Sequence, residues 1–200
     1  MLMIIITFPD GSKLQYDKKS VTPLHIAKDI GEGLARAALA AKVNDKLVDL
    51  SYSITEDAEI RIITFKDDEG KEIFRHSTSH LMAAAVQNLF KDVKFAIGPA
   101  VEDGFYYDFD VKKPFTPEDL EKIEGEMRKL VHEDVEFIRK EISKKEAEVL
   151  FEKQPYKLEM IKDLDGVEIF RARGKKYDME KFVTLIEKVV YLCDKIDIKE

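Results

Sequence analysis

Over the first sixty residues, hydrophobic positions alternate with polar ones in short runs, and beyond about residue 70 the period lengthens to that of a helix. Met3 to Phe8 is apolar and β-branched, Pro9-Asp10-Gly11-Ser12 is a turn sequence, and Lys13 to Tyr16 returns as the second strand of a hairpin. Thr22-Pro23 supplies an N-cap and a first-turn proline for a short helix with Ile26, Ala27 and Ile30 on its apolar face. Gly31 and Gly33 are expected to end it. Two more strands are expected, Ala38 to Val43, turned at Asn44-Asp45, and Glu59 to Phe65, where Ile60, Ile62 and Thr64 alternate with Arg61, Ile63 and Phe65.

Hairpin, helix and later strands in this order suggest a small β-grasp (ubiquitin-like) sheet over residues 1–66. The polar stretch Lys66 to Lys71 contains Gly70, has no apolar period and reads as the domain boundary, with a second domain over residues 67–200. Glu72 to Phe90 then predicts a long, mostly buried helix, because Leu81, Met82, Ala85, Val86, Leu89 and Phe90 cover more than one face. Val93 to Ile97 and Phe105 to Val111 read as strands, joined through Gly98-Pro99 and Asp103-Gly104. Thr116-Pro117-Glu118-Asp119 opens a capped helix with Leu120, Ile123, Met127, Leu130 and Val131 along it. Val135 to Ile142 is a strand candidate, and Ser143 with Glu146 caps a helix through about Phe151. The fold class is therefore α+β.

Composition narrows the class. With 44% hydrophobic and 36% charged residues, the 200-residue chain is expected to be globular with a heavily charged surface. The longest uncharged apolar run, Leu81 to Phe90, is too short to cross a bilayer, and the apolar start lacks a basic leader. A cytoplasmic protein without a membrane partner is expected. The single cysteine, Cys193, cannot form an internal disulfide, and any metal site would need histidine and carboxylate. A net charge of -7 argues against phosphate binding by charge alone. Lysine and arginine are locally denser in Arg139 to Lys145 and Arg171 to Lys176, which read as a solvated charged face or as an RNA contact.

The chemistry concentrates in Arg75-His76-Ser77-Thr78-Ser79-His80. Residues four apart share a helix face, so His76 and His80 point into one space, where they could hold a metal, a water or a substrate hydroxyl. Without HExxH, and with only His25 and His132 elsewhere, a zinc protease is poorly supported. Spacing alone leaves open whether the two histidines are structural or functional. Downstream, Phe105, Tyr107 and Phe109 face one way along a strand, and Tyr106, Asp108 and Asp110 face the other.

These residues carry a family resemblance. FPDGSKLQYD, DIGEGLARAALAAKVNDKLVDL and AEIRIITFKDDEG resemble the TGS domain at the amino terminus of bacterial threonyl-tRNA synthetases. RHSTSHLMAAAVQNLF, KFAIGPAVEDGFYYDFD and FTPEDLEKIEGEMRKL resemble the editing domain that follows it, an α+β domain with a long buried HxxxH helix on an antiparallel sheet. The similarity runs to about residue 165. It implies hydrolysis of serine mischarged onto threonine tRNA, a second sieve where binding alone cannot reject the smaller hydroxy amino acid. It further implies that His76 and His80 hold the terminal ribose and the attacking water, that Tyr107 lines the pocket, and that Lys157, in Pro155-Tyr156-Lys157, assists hydrolysis. The implied partners are tRNA(Thr) and seryl-tRNA. Editing needs no cofactor by this resemblance, and zinc at His76 and His80 is not expected.

The carboxyl end departs from the family from about residue 166. A second half-motif of the form D-x-C-R-G-P-H is not matched, because Thr184, Ile186 and Val190 stand roughly where its acid, cysteine and histidine belong. Cys193 lies beyond that place and reads as a buried cysteine or as a shifted ligand. Apolar Phe182, Leu185, Ile186, Val189, Val190 and Leu192 allow an amphipathic closing helix over Met179 to Cys193. The editing site is expected to be incomplete. No class II synthetase motif is found, so ATP, zinc and homodimerisation are expected to belong to a synthetase core outside these residues. Two other readings stay open: a non-catalytic module that binds tRNA or regulates a partner, and the accessory region of a nucleoside-kinase-like protein.

Overall fold

The computed structural model describes residues 3–133, 136–162, 164, 167–173 and 183–185. Backbone contacts divide the chain into two compact units at the Phe74–Arg75 step, inside one helix.

The first unit is built on β1 (Ile4–Thr7), β2 (Lys13–Tyr16), β3 (Ala38–Val43), β4 (Lys46–Val48) and β5 (Ala58–Thr64), in the sheet order β2-β1-β5-β3-β4. β1 and β5 run parallel, and the other pairs are antiparallel. The first hairpin closes through Gly11 at φ 81°, a left-handed conformation that glycine reaches without a Cβ penalty. The second closes through Asn44 and Asp45, both at positive φ, as a primed turn requires. α1 (Pro23–Ile30) starts as expected, with Thr22 Oγ1 accepting from the His25 N–H at 3.2 Å. Its buried Ile26 joins Ile4, Ile6, Ala41 and Ile60 in one core.

Three expectations for this unit are corrected. Gly33 does not end a helix. After Gly31 the chain restarts as α2 (Glu32–Ala37), favoured by an acidic first turn and by leucine and alanine. The alternation along β5 breaks, with Ile60 and Ile63 buried and Ile62 only partly so, where the register against β3 shifts between Ala38 and Ala40. The long helix begins before Glu72: Lys66 to Lys71 is a turn and then the opening of α3 (Asp68–Leu89), whose start is acidic and so shows no apolar period. Asp67 accepts from the Thr64 N–H at 2.8 Å, and Arg61 and Lys42 pair with Asp67 and Glu69. Gly70 lies so close to β5 that an added Cβ would stand 1.9 Å from the Thr64 carbonyl oxygen.

The second unit continues along α3 from Arg75. β6 (Lys94–Phe95) pairs with β9 (Phe109–Asp110), and β7 (Ala100–Val101) with β8 (Gly104–Phe105). α4 (Pro117–His132) and α5 (Lys144–Leu150) both begin in capping boxes, Thr116 with Asp119 and Ser143 with Glu146, as expected. β10 (Glu136–Ile142), β11 (Val167–Arg173) and β12 (Val183–Leu185) form a three-stranded antiparallel sheet, and α6 (Pro155–Lys162) lies between β10 and β11 in sequence. One core gathers Ala83, Ala85 and Val86 of α3 with Val93, Phe95 and Ile123, and a smaller one gathers Ala147, Phe151 and Ile161.

Corrections fall here too. Phe105 to Val111 is not one strand but two short ones separated at Tyr106–Asp108, although Phe105, Tyr107 and Phe109 remain the less exposed positions. Leu89, expected in the buried surface of α3, is exposed. The closing helix that the sequence allows does not form at Val183–Leu185, which pairs with β11. A Val-Thr-Leu run suits a strand, and it completes hydrogen bonding on that edge. The rest of Met179 to Cys193 lies outside the described residues.

Candidate functional site

His76 and His80 both lie on α3, four residues apart and so on one face. Each is more than nine-tenths buried, at 8% and 7% exposure, and their Nε2 atoms are 2.8 Å apart. The rings meet edge to face with centroids 4.4 Å apart. A hydrogen bond between two Nε2 atoms needs one hydrogen, so a neutral pair holds one ring protonated on Nε2 and the other on Nδ1. The remaining Nδ1 atoms are therefore one donor and one acceptor, and neither has a hydrogen-bond partner among the described residues.

Electrostatics keeps this pair uncharged. Burial, with the charge of Lys157 second, holds the His76 imidazole down to about 4. His80 is also held well below the ordinary histidine range, by burial first and then by His76 and Lys157. Lys157 is itself buried, at 6% exposure, and its Nζ donates to the Ala96 carbonyl at 2.8 Å. It belongs to α6, so two histidines from one helix and a lysine from another are close enough to feel one another's charge.

Tyr107 reaches the same region through the loop at Gly98. Its ring stacks on Phe109 at 4.7 Å and meets Phe95 edge-on. A Cβ on Gly98 would stand 2.2 Å from that ring, so the aromatic packs directly on the glycine backbone. Burial pushes the Tyr107 phenol up, which leaves it neutral. Ser79, fully buried between the two histidines in sequence, lies 2.8 Å from the His76 carbonyl and 2.7 Å from the Gly98 carbonyl and shares its hydroxyl proton between them. It joins the helix of the histidine pair to the loop under Tyr107.

The four residues expected at a site, His76, His80, Lys157 and Tyr107, thus gather in the second unit. Ser79 and Gly98 were not expected there. Ser79 is hidden inside HxxxH, and Gly98 beside Pro99 reads as a turn rather than a close approach. Among the described residues, no group of three or more His, Cys, Asp or Glu side chains could hold a metal ion. Thr184 lies in β12, whereas Ile186, Val190 and Cys193 fall outside the described residues. The basic stretches map in part to β10 and the start of α5, and to β11 beside β10. No described helix is long and apolar enough to cross a membrane. A cleft of about 500 Å³ in the first unit, lined by Phe8, Leu14 and Ile30 with Asp10, Lys13 and Asp29, holds none of the expected residues.

Comparison with known proteins finds similarity along most of the chain. Residues 3–64 match the TGS domain family. The threonine–tRNA ligase of Desulforamulus reducens is 55% identical over 164 residues, covering 81% of this chain and 26% of that protein. The enzyme of the same name from Carboxydothermus hydrogenoformans is 49% identical over 181 residues, covering 88% of this chain and 28% of the relative. That from Coxiella burnetii is 48% identical over 185 residues, or 92% and 28%. The chain spans about a quarter of the length of these curated relatives. With a TGS domain at residues 3–64 and about half of its aligned residues identical, the chain is similar along most of its length to part of the threonine–tRNA ligases.

Proposed function

We propose that the chain carries the proofreading activity of a threonine–tRNA ligase, hydrolysing the ester of seryl-tRNA(Thr) in the second unit. The observation that carries this reading is the buried, neutral His76–His80 pair with the Lys157 ammonium beside it. Ester hydrolysis needs a positioned water, a grip on the terminal ribose and a stabiliser for the developing oxyanion. The two Nδ1 atoms, buried and without a partner among the described residues, are one donor and one acceptor, which match a water and a ribose hydroxyl once the substrate opens a way to them. Lys157 supplies the positive charge for the oxyanion. Tyr107, neutral and packed on Gly98, forms a wall of the pocket that admits serine.

In balanced terms, water adds to the ester carbonyl, the bond to the ribose oxygen breaks, and serine and tRNA leave with the water's hydrogens shared between them. The histidine pair positions the water and passes a proton towards the ribose oxygen. No cofactor enters this scheme.

One observation favours a second reading. Thr184, the residue standing where the family's acid belongs, sits in a strand register opposite Phe170. A site lacking the second half-motif could bind the tRNA end without cleaving it. Incubating the protein with seryl- and threonyl-tRNA(Thr) and following deacylation separates the two. Selective loss of the seryl ester supports editing, whereas a tRNA gel shift with both esters lost at the uncatalysed rate supports the binding module.

A further inference from the structure

We propose that Gln154 is the positioning residue that sets Lys157 against the histidine pair, an inference that rests on the editing reading for its catalytic consequence but not for its geometry. Gln154 is the residue from which α6 starts: its carbonyl accepts the first helical bond, from the Leu158 N–H at 3.0 Å, and Pro155 follows at the first helical position. An N-cap side chain ordinarily turns back onto its own helix. Here it points away. The Gln154 side-chain oxygen accepts from the Phe95 N–H at 2.9 Å, and its amide nitrogen donates to the Val93 carbonyl at 3.1 Å. One planar amide thus makes the two bonds to β6 and the residue before it that a neighbouring strand would make.

The consequence is a fixed register between α6 and β6. Lys94 adds a bond from its Nζ to the Lys153 carbonyl at 3.2 Å, and the Tyr156 hydroxyl reaches Asp110 on β9 at 3.1 Å. Those two groups are exposed and rim the contact, whereas the Gln154 amide is partly buried at its centre. Three residues along α6, in the same register, Lys157 meets Ala96 on the chain that continues β6. Both α6 and the path of Val93 to Ala96 must be held for that lysine to stand beside His76 and His80. Besides Lys157 itself, Gln154 ties the start of α6 to that path, and it does so with two bonds. Only an amide does this: a carboxylate keeps the acceptor but faces the Val93 carbonyl with a second oxygen, and alanine removes both bonds.

The test uses the full chain with two readouts. Lysine acetylation by a succinimidyl ester, mapped by peptide mass spectrometry, reports whether Lys157 stays buried. In wild type, Lys157 reacts at least tenfold more slowly than Lys153. In Gln154→Ala its rate rises at least fivefold while that of Lys153 is unchanged, and Gln154→Glu, which keeps one bond and guards against a failure of the alanine variant to fold, gives an intermediate rise. Single-turnover hydrolysis of seryl-tRNA(Thr) falls about tenfold in Gln154→Ala, and the same change costs nothing further in a Lys157→Met background. Wild-type Lys157 reactivity in the folded variants overturns the proposal, as do losses from the two substitutions that multiply. If the wild-type chain does not hydrolyse seryl-tRNA at all, the editing reading falls, and the lysine reactivity still decides the role of Gln154.

Discussion

The Nε2 atoms of His76 and His80 lie 2.8 Å apart, and the hydrogen bond between them forces the two buried rings into different neutral tautomers. A helix brings them onto one face, burial and Lys157 keep them uncharged, and their buried Nδ1 atoms are left as one donor and one acceptor. A shared proton of this kind can be passed or held, and the bond loses its acceptor only when both rings are charged.

Stability should depend on pH accordingly. His76 is held down to about 4 in the fold against an ordinary 6.5, so between those values the unfolded chain binds more protons than the folded one. The contribution is fully present above pH 6.5 and is lost as pH falls through 4, about 3 kcal/mol in all for one such ring. Urea midpoints measured from pH 7 to pH 4 should fall over that window, and His76→Gln should flatten the fall.

The activity profile should follow the same pair. If hydrolysis uses the neutral rings, single-turnover rates on seryl-tRNA(Thr) stay level from pH 7 down to about 5 and drop only near 4, where His76 becomes charged. A midpoint near 6.5 in the rate profile would mean that the working histidine is not this buried pair.

Gly98→Ala tests the wall of the pocket. The new Cβ would overlap the Tyr107 ring, which is held between Gly98 and the stacked Phe109, so the ring or the loop must move. A cost of about 1–3 kcal/mol is expected from overpacking, read as a lower urea midpoint. Adding Tyr107→Leu should recover part of it, since the clash is with the ring.

Ser79→Ala removes the hydroxyl shared between the His76 and Gly98 carbonyls. A loss of about 1–2 kcal/mol is expected, because buried acceptors are left with fewer partners. The same variant should raise the reactivity of the Tyr107 phenol to tetranitromethane if the loop under Tyr107 loosens.

Much of the scaffold is legible in the sequence. Thr116-Pro117 and Ser143 with Glu146 announce helix starts because capping is a local interaction, and Asn44-Asp45 announces a turn for the same reason. His76, His80, Tyr107 and Lys157 are singled out by the family resemblance, not by spacing. The parts that were missed depend on distant partners. α6 opens with Gln-Pro, a weak start whose amide is spent on a strand about sixty residues earlier, and β12 exists because β11 offers it an edge. Gly70 and Gly98 look like ordinary breakers in sequence, yet each is a place where one element touches another's atoms.

The central claim rests on hydrolysis, and single-turnover deacylation of seryl-tRNA(Thr) by the purified chain tests it most directly. The histidine-pair account predicts loss of the seryl ester well above the uncatalysed rate, reduced at least a hundredfold by His76→Ala or His80→Ala, with threonyl-tRNA(Thr) spared. Deacylation of the seryl ester at the uncatalysed rate, or at a rate that both histidine substitutions leave unchanged, would contradict it.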